Sequence, residues 1–150
     1  MQIRKMCQAD HDECIAMMKD FYHSPAVSHS VPAAVHERAF QAAVEGNPMM
    51  EGLVLELDGR IVGYGMLSFT YSCEVGGQVV LLEELYFKEE FRGKGLGQQY
   101  FQWVFDRFGD AARLRLEVTD ANPRAKALYQ RLGFEVLDYV QMVKDRPLEQ

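Results

Sequence analysis

Three glycines and two basic residues alternate in the stretch Arg92-Gly93-Lys94-Gly95-Leu96-Gly97, and this stretch constrains the chain more than any other. It follows an apolar run that carries two acids, Leu81-Leu82-Glu83-Glu84-Leu85-Tyr86-Phe87, and it opens a helical pattern that starts near Leu96. A strand, a glycine-rich loop and a helix in that order make an anion site. Glycines let backbone N–H groups converge, and the helix N-terminus adds partial positive charge. Arg92 and Lys94 add full charges that pair with phosphate oxygens. A plain turn would explain any one of these features, but their combination points to a phosphate-bearing ligand. A nucleoside triphosphatase loop needs Ser or Thr after Gly-Lys, and Gly95 follows Lys94 here. A dinucleotide fingerprint needs Gly-x-Gly-x-x-Gly, and Gln98 stands where the last glycine belongs. What remains is Arg-x-x-Gly-x-Gly.

A chain of 150 residues predicts one domain, 1–150, large enough for its own core. A formal net charge of −6 argues against a nucleic-acid surface and is compatible with a cationic substrate. Cys7, Cys14 and Cys73 are odd in number and lack metal-ligand spacing, so they read as reduced thiols and no metal is expected. No apolar run is long enough to cross a membrane, and Met1-Gln2-Ile3-Arg4-Lys5 leads into polar sequence without a signal-peptide core. The expectation is a cytoplasmic protein with no membrane partner.

The periodicities predict a β-α-α-β-β-β-α-β-α-β order. Ile3 marks an edge strand within Met1 to Met6. Asp10 to Tyr22 has a helical apolar recurrence, with Asp10 as a candidate cap and Glu13 three residues on. His23 to Val31 is a loop, and Pro32 opens a second helix that runs to Val44. Gly52 to Leu57 and Ile61 to Tyr71 flank Asp58-Gly59, a strong hairpin signal, and Gly63 and Gly65 suit a bulge or a close approach. Gln78 to Phe87 is nearly continuous in apolar residues, so it is expected to be central. A helix from Leu96 to Phe108, a strand around Leu114 to Val118 and a helix from Asn122-Pro123 to Leu132 follow. Phe134 to Val143 reads as a last strand, and Asp145 to Gln150 as a polar, frayed tail. A hairpin section followed by βαβαβ implies an α/β fold with a mixed sheet.

A second informative stretch is Asn122-Pro123-Arg124-Ala125-Lys126-Ala127-Leu128-Tyr129-Gln130-Arg131-Leu132-Gly133-Phe134. Asn122 can cap its helix, and Tyr129 lies two turns further along nearly the same face. Taken alone, Tyr129 reads as a packing aromatic. Downstream of Arg-x-x-Gly-x-Gly, however, the pattern Asn122, Ala125, Tyr129, Gly133, Phe134 resembles the paired signature of the GNAT family of N-acetyltransferases. The Leu-Glu-Glu-Leu-Tyr-Phe run resembles that family's central strand. The resemblance is close over residues 80–137 and covers the N-terminal half in element order only.

The resemblance implies a mostly antiparallel mixed sheet flanked by helices, acetyl-coenzyme A as co-substrate, and direct attack of an amine on the thioester. It places the pyrophosphate on Arg92, Gly93, Lys94, Gly95, Leu96 and Gly97, with Asn122 beside the coenzyme. It places the pantetheine on the main chain of Leu85, Tyr86 and Phe87, where the central strand splays from its neighbour; Glu83-Glu84 is a candidate for the break. A primary ammonium has a pKa near ~10, so a base is needed, and Glu83 and Glu84 are the candidates. Alternation sets these two on opposite faces. Glu83 is preferred, by resemblance to members with Leu-Glu-Asp at this place. Tyr129 suits the acid that protonates the departing thiolate. Tyr22 and His23, with His29, and Tyr71 are candidates to line the acceptor site. The implied acceptor is a small primary amine such as a polyamine or diamine. A protein amine, an amino acid, an aminoglycoside and a non-catalytic acyl-coenzyme A sensor are the alternatives. A homodimer is compatible with the resemblance.

Overall fold

The computed structural model describes residues 1–148; Glu149 and Gln150, the end of the expected tail, lie outside the described residues. The strands are β1 (Gln2–Lys5), β2 (Met50–Leu57), β3 (Arg60–Ser72), β4 (Gly77–Phe87) and β5 (Arg113–Leu116). The helices are α1 (His11–Phe21), α2 (Ala33–Val44), α3 (Leu96–Arg107) and α4 (Pro123–Arg131), with 3-10 turns at Gln8–Asp10 and Glu89–Phe91. The strands form one sheet in the order β1-β2-β3-β4-β5. The first three pairings are antiparallel, and β4 with β5 is parallel. The fold is therefore the expected α/β mixed sheet.

The β2–β3 hairpin turns at Asp58 (φ 51°) and Gly59 (φ 74°), two left-handed residues that match the twist of the flanking strands. Gly63 and Gly65 serve close approach. A Cβ on Gly63 would strike the Tyr86 carbonyl, and one on Gly65 would lie 2.7 Å from the Tyr100 hydroxyl. Alternation along β2, β3 and β4 divides the apolar side chains between two layers. Val54, Tyr64, Met66 and Tyr86 pack with Cys14, Met17, Met18 and Phe21 of α1 and Phe40 of α2. Leu53, Leu55, Val62, Leu67, Val80 and Leu82 pack with Leu96, Tyr100, Phe101 and Val104 of α3 on the other face.

Two expectations need correction. Asp10 holds the N-cap position of α1 but makes no side-chain cap bond. Its carboxylate instead takes two 2.8 Å hydrogen bonds from Arg4 and one of 2.8 Å from the Cys7 N–H, because a buried acid is stabilised more by a guanidinium fork than by one amide. The arginine holds the Asp10 carboxyl down at about 2. Residues 134–143 form no strand: beyond the turn at Gly133 the described chain joins no ladder, and within it the Tyr139 N–H donates to the Leu137 carbonyl at 3.0 Å. Apolar content alone does not make a strand, because a strand exists only as half of a hydrogen-bonded pair.

Candidate functional site

The registers of β3 and β4 run from Gly63↔Phe87 to Met66↔Glu84 and resume at Leu67↔Leu82, so Glu83 is an extra residue. Such a β-bulge inverts the expected alternation. Tyr64, Met66 and Ser68 share the β3 face turned to α1 and α2. The Tyr64 hydroxyl donates to Glu84 Oε2 at 2.7 Å, and Ser68 Oγ donates to Glu83 Oε1 at 3.0 Å. The two carboxylates therefore lie on one face, not on opposite faces. Their surroundings still differ. Glu84 also accepts from the Tyr22 hydroxyl at 2.7 Å, so both its oxygens are engaged. Burial raises its pKa, against the two phenol hydrogen bonds, and the Glu83 charge adds to the rise. Glu83 is exposed and faces the cleft.

The parallel ladder runs from Val79↔Arg113 to Leu82↔Leu116 and stops at the bulge. Beyond it β4 continues to Phe87 while β5 has ended, so this edge of Leu85, Tyr86 and Phe87 has no strand beside it among the described residues. The side chains of these residues are otherwise occupied. Leu85 and Phe87 pack toward α3, and the Tyr86 hydroxyl donates to Asp20 at 3.3 Å. Of the three, Leu85 lines the cleft.

Below the splay, Gly93 (φ 72°) and Gly95 (φ 77°) take left-handed conformations, and Gly95 is the N-cap residue of α3. These φ values turn successive N–H groups toward one concavity, next to the unpaired amides of the first helical turn. A Cβ on Gly93, Gly95 or Gly97 would meet nothing within 4 Å, so the space before the loop is open. Arg92 Nε donates to the Phe87 carbonyl at 2.8 Å, and its guanidinium stacks 5.2 Å from the Tyr86 ring centroid. Lys94 Nζ lies 5.5 Å from the Phe91 ring centroid.

Tyr22, His29, Glu83, Leu85, Asn122 and Tyr129 line one cavity of about 1530 Å³ between β4, β5, α4 and the segment after it. Residues 92–97 stand outside this lining. Asn122 caps α4, its Oδ1 accepting from the Ala125 N–H at 3.3 Å, with Pro123 opening the helix. Tyr129 leans on Phe101 (5.5 Å between ring centroids) and Phe134 (6.2 Å), and burial raises its pKa. Burial, then the Glu84 charge, raises the Tyr22 phenol also. The Tyr22 ring lies tilted against the buried ring of His36, 5.1 Å between centroids, and burial lowers the His36 pKa.

Not every expected residue meets this cavity. His23 Nδ1 bonds the Lys19 carbonyl at 2.6 Å, and His29 takes the lining position instead. Tyr71 is 68% exposed at the end of β3, away from the cavity. Ser68, which orients Glu83, and Thr119, whose hydroxyl donates to the Pro25 carbonyl at 2.7 Å across the cavity's end, carry no sequence signal that would have found them. Among the described residues no group of three or more His, Cys, Asp or Glu could hold a metal ion, and no helix is long and apolar enough to cross a membrane.

Comparison with known proteins adds an independent line. Residues 14–134 match the model of the "Acetyltransferase (GNAT) family". The chain is 30% identical over 148 residues to thialysine N-epsilon-acetyltransferase of Bos taurus, across 91% of this chain and 85% of that protein. A solved structure described as a "possible acetyltransferase" from Clostridium difficile 630 superposes with a TM-score of 0.80 at 19% identity, covering 99% of this chain and 98% of the other. The structure of AAC(6')-Iy in complex with a coenzyme A bisubstrate analogue superposes with a TM-score of 0.76 at 18% identity, covering 97% and 98%.

Proposed function

The chain belongs to the acetyltransferase (GNAT) family and is an N-acetyltransferase, and from that premise we propose that it moves the acetyl group of acetyl-coenzyme A to a primary amine of a small molecule bearing more than one amine, a diamine or polyamine. The observation that carries this reading is the bulge at Glu83. It ends the β4–β5 ladder where a coenzyme arm needs open backbone, and it turns an accessible carboxylate into the cavity that Tyr129 also lines.

The residues present fit the coenzyme. The glycine concavity with Lys94 and the α3 N-terminus suits a pyrophosphate, and the free edge of Leu85 to Phe87 suits the amides of a pantetheine arm. Bound there, the coenzyme supplies an acetyl thioester. Glu83 takes the proton from the acceptor ammonium, directly or through water, and so exposes its lone pair. A backbone N–H at the end of β4 polarises the thioester carbonyl in this reading. Tyr129, kept protonated by its apolar surroundings, gives its proton to the departing sulfur. Glu84 acts as a positioning group: with both oxygens occupied, it holds Tyr22 at the acceptor mouth. In the cavity, Glu117 pairs with Arg115 and Asp120 with Lys126, whereas Glu83 accepts from a neutral hydroxyl. That imbalance favours a cationic acceptor, in keeping with the amine named for the Bos taurus relative.

Thiol release on mixing acetyl-coenzyme A with polyamines, lysine-like amino acids, aminoglycosides and peptide amines tests the proposal. Release led by di- and polyamines is expected. Release led by aminoglycosides or peptides would overturn the acceptor class, and coenzyme binding without release across the panel would favour a sensor.

A further inference from the structure

We propose, resting on the amine-acceptor function proposed above, that Thr119 is a positioning residue whose hydroxyl ties together the two walls of the acceptor pocket. One wall is residues 22–32, which run from the end of α1 to the start of α2 without helix or strand. From it Tyr22, Val27 and His29 line the cavity. The other wall is residues 117–122, between β5 and α4, from which Thr119 and Asn122 line the same cavity.

Each wall is otherwise fastened to its own side. The first is held by the Tyr22 hydroxyl on Glu84, by Ser24 Oγ donating to the Phe21 carbonyl at 2.6 Å, and by Ala26 and Val27 packing on the core beneath α1 and α2. The second is a turn that the Asn122 N–H closes on the Thr119 carbonyl at 3.0 Å, and it leads straight into the cap of α4. Among the described residues one hydrogen bond joins the two walls. Thr119 Oγ1 donates to the Pro25 carbonyl at 2.7 Å.

Both partners suit a fixed link. Pro25 has a locked φ, so its carbonyl has one torsion left to swing on. Thr119 is β-branched, which stiffens χ1 and limits where its hydroxyl can point. Its carbonyl serves the turn toward Asn122 and the Tyr129 helix, while its side chain reaches the loop that follows Tyr22. The bond therefore sets the spacing between the Tyr22 mouth and the residues that face the thioester. The amine senses that spacing. The loop at 92–97 and the free edge of β4, which hold the coenzyme, belong to elements the bond does not touch. A loop released from the bond is competent for the amine only part of the time, and the apparent affinity falls by that fraction. A neutral hydrogen bond at a half-buried residue shifts such a balance by about fivefold.

Thr119→Val keeps the shape and removes the donor, and Thr119→Ser keeps the donor. Thr119→Val is expected to raise the KM for the amine about fivefold, with kcat within about twofold and acetyl-coenzyme A affinity unchanged by titration calorimetry. The Ala26 and Val27 amides, bonded to Ser24, should exchange with solvent faster by a similar factor in the protein without ligands, followed by NMR. Thr119→Ser should restore both. Exchange equal to wild type in Thr119→Val would overturn the link whatever the acceptor. So would faster exchange with an unchanged KM, a loss confined to kcat, or a raised KM that serine does not restore. Absence of wild-type turnover with every amine would overturn the proposed function instead, and the exchange would still decide the link.

Discussion

Residues 1–87 and 88–148 contrast sharply. In the first part the ladders are long and broken only by single-residue bulges: β2 and β3 match from Met50↔Ser68 to Leu57↔Arg60, and β3 and β4 from Gly63↔Phe87 to Ser72↔Gly77. Ion pairs lock it further, with Arg4 between Asp10 and Glu56. In the second part the ladder is four pairs long, the glycine loop is exposed, and the chain after α4 joins no sheet. Polar groups also pair across the two parts, Lys88 with Glu13, Arg107 with Glu51 and Arg113 with Glu74. On the side of the second part, the β4 edge beyond Leu82 and the outer edge of β5 have no strand beside them among the described residues. Glu83 sits at the seam, in a strand of the first half but facing the second.

The contrast can be broken by exchanging effects between the halves. The largest expected effect is Tyr129→Phe, which should lower kcat by about 10²–10⁴ with little change in melting temperature, read by steady-state thiol release and calorimetry. Unaltered turnover would remove Tyr129 from the chemistry. Glu83→Gln should cost about 10²-fold in kcat and flatten the rising limb of the pH–rate profile, while Glu84→Gln should act mainly on KM through Tyr22. The reverse pattern would make Glu84 the base. Gly95→Val should weaken acetyl-coenzyme A about tenfold or more by titration calorimetry, because a β-branched residue resists φ 77° and crowds the concavity. Equal affinity would move the pyrophosphate elsewhere.

The smallest effect on turnover, and a clear one on stability, should come from Asp10→Asn. The Asp10 carboxyl is 5% exposed and held at about 2 against an ordinary 3.8, a depression worth about 2 kcal/mol. A depressed carboxyl stabilises the fold above its unfolded value and loses that contribution as pH falls through its folded one. Urea unfolding should therefore show wild type losing the increment between about pH 4 and pH 2, and the variant lacking it at every pH. A variant as stable as wild type at neutral pH would show that the arginine fork contributes little.

Much of this was legible locally. Asp58-Gly59 turned where expected, because left-handed backbone is a property of two residues. The loop at 92–97 and the capped helix from Asn122 to Tyr129 were legible for the same reason: spacing along one helix or turn sets geometry within a few residues. Relations between strands were not. Glu83 and Glu84 read as opposed until the β3 register made Glu83 an extra residue, and a bulge belongs to a pair of strands, not to one. Asp10 read as a cap until Arg4 of β1, which also donates to Glu56 of β2, claimed its carboxylate. Phe134 to Val143 has the composition of a strand, yet pairing needs a neighbouring edge that composition does not name. The chain by itself determined the class of fold, the glycine loop before α3 and the tyrosine helix, because each is written in short-range spacing. Tertiary structure alone decided which carboxylate faces the cleft, how far β4 and β5 part, and where the last segment goes, because each depends on contacts between residues distant in sequence.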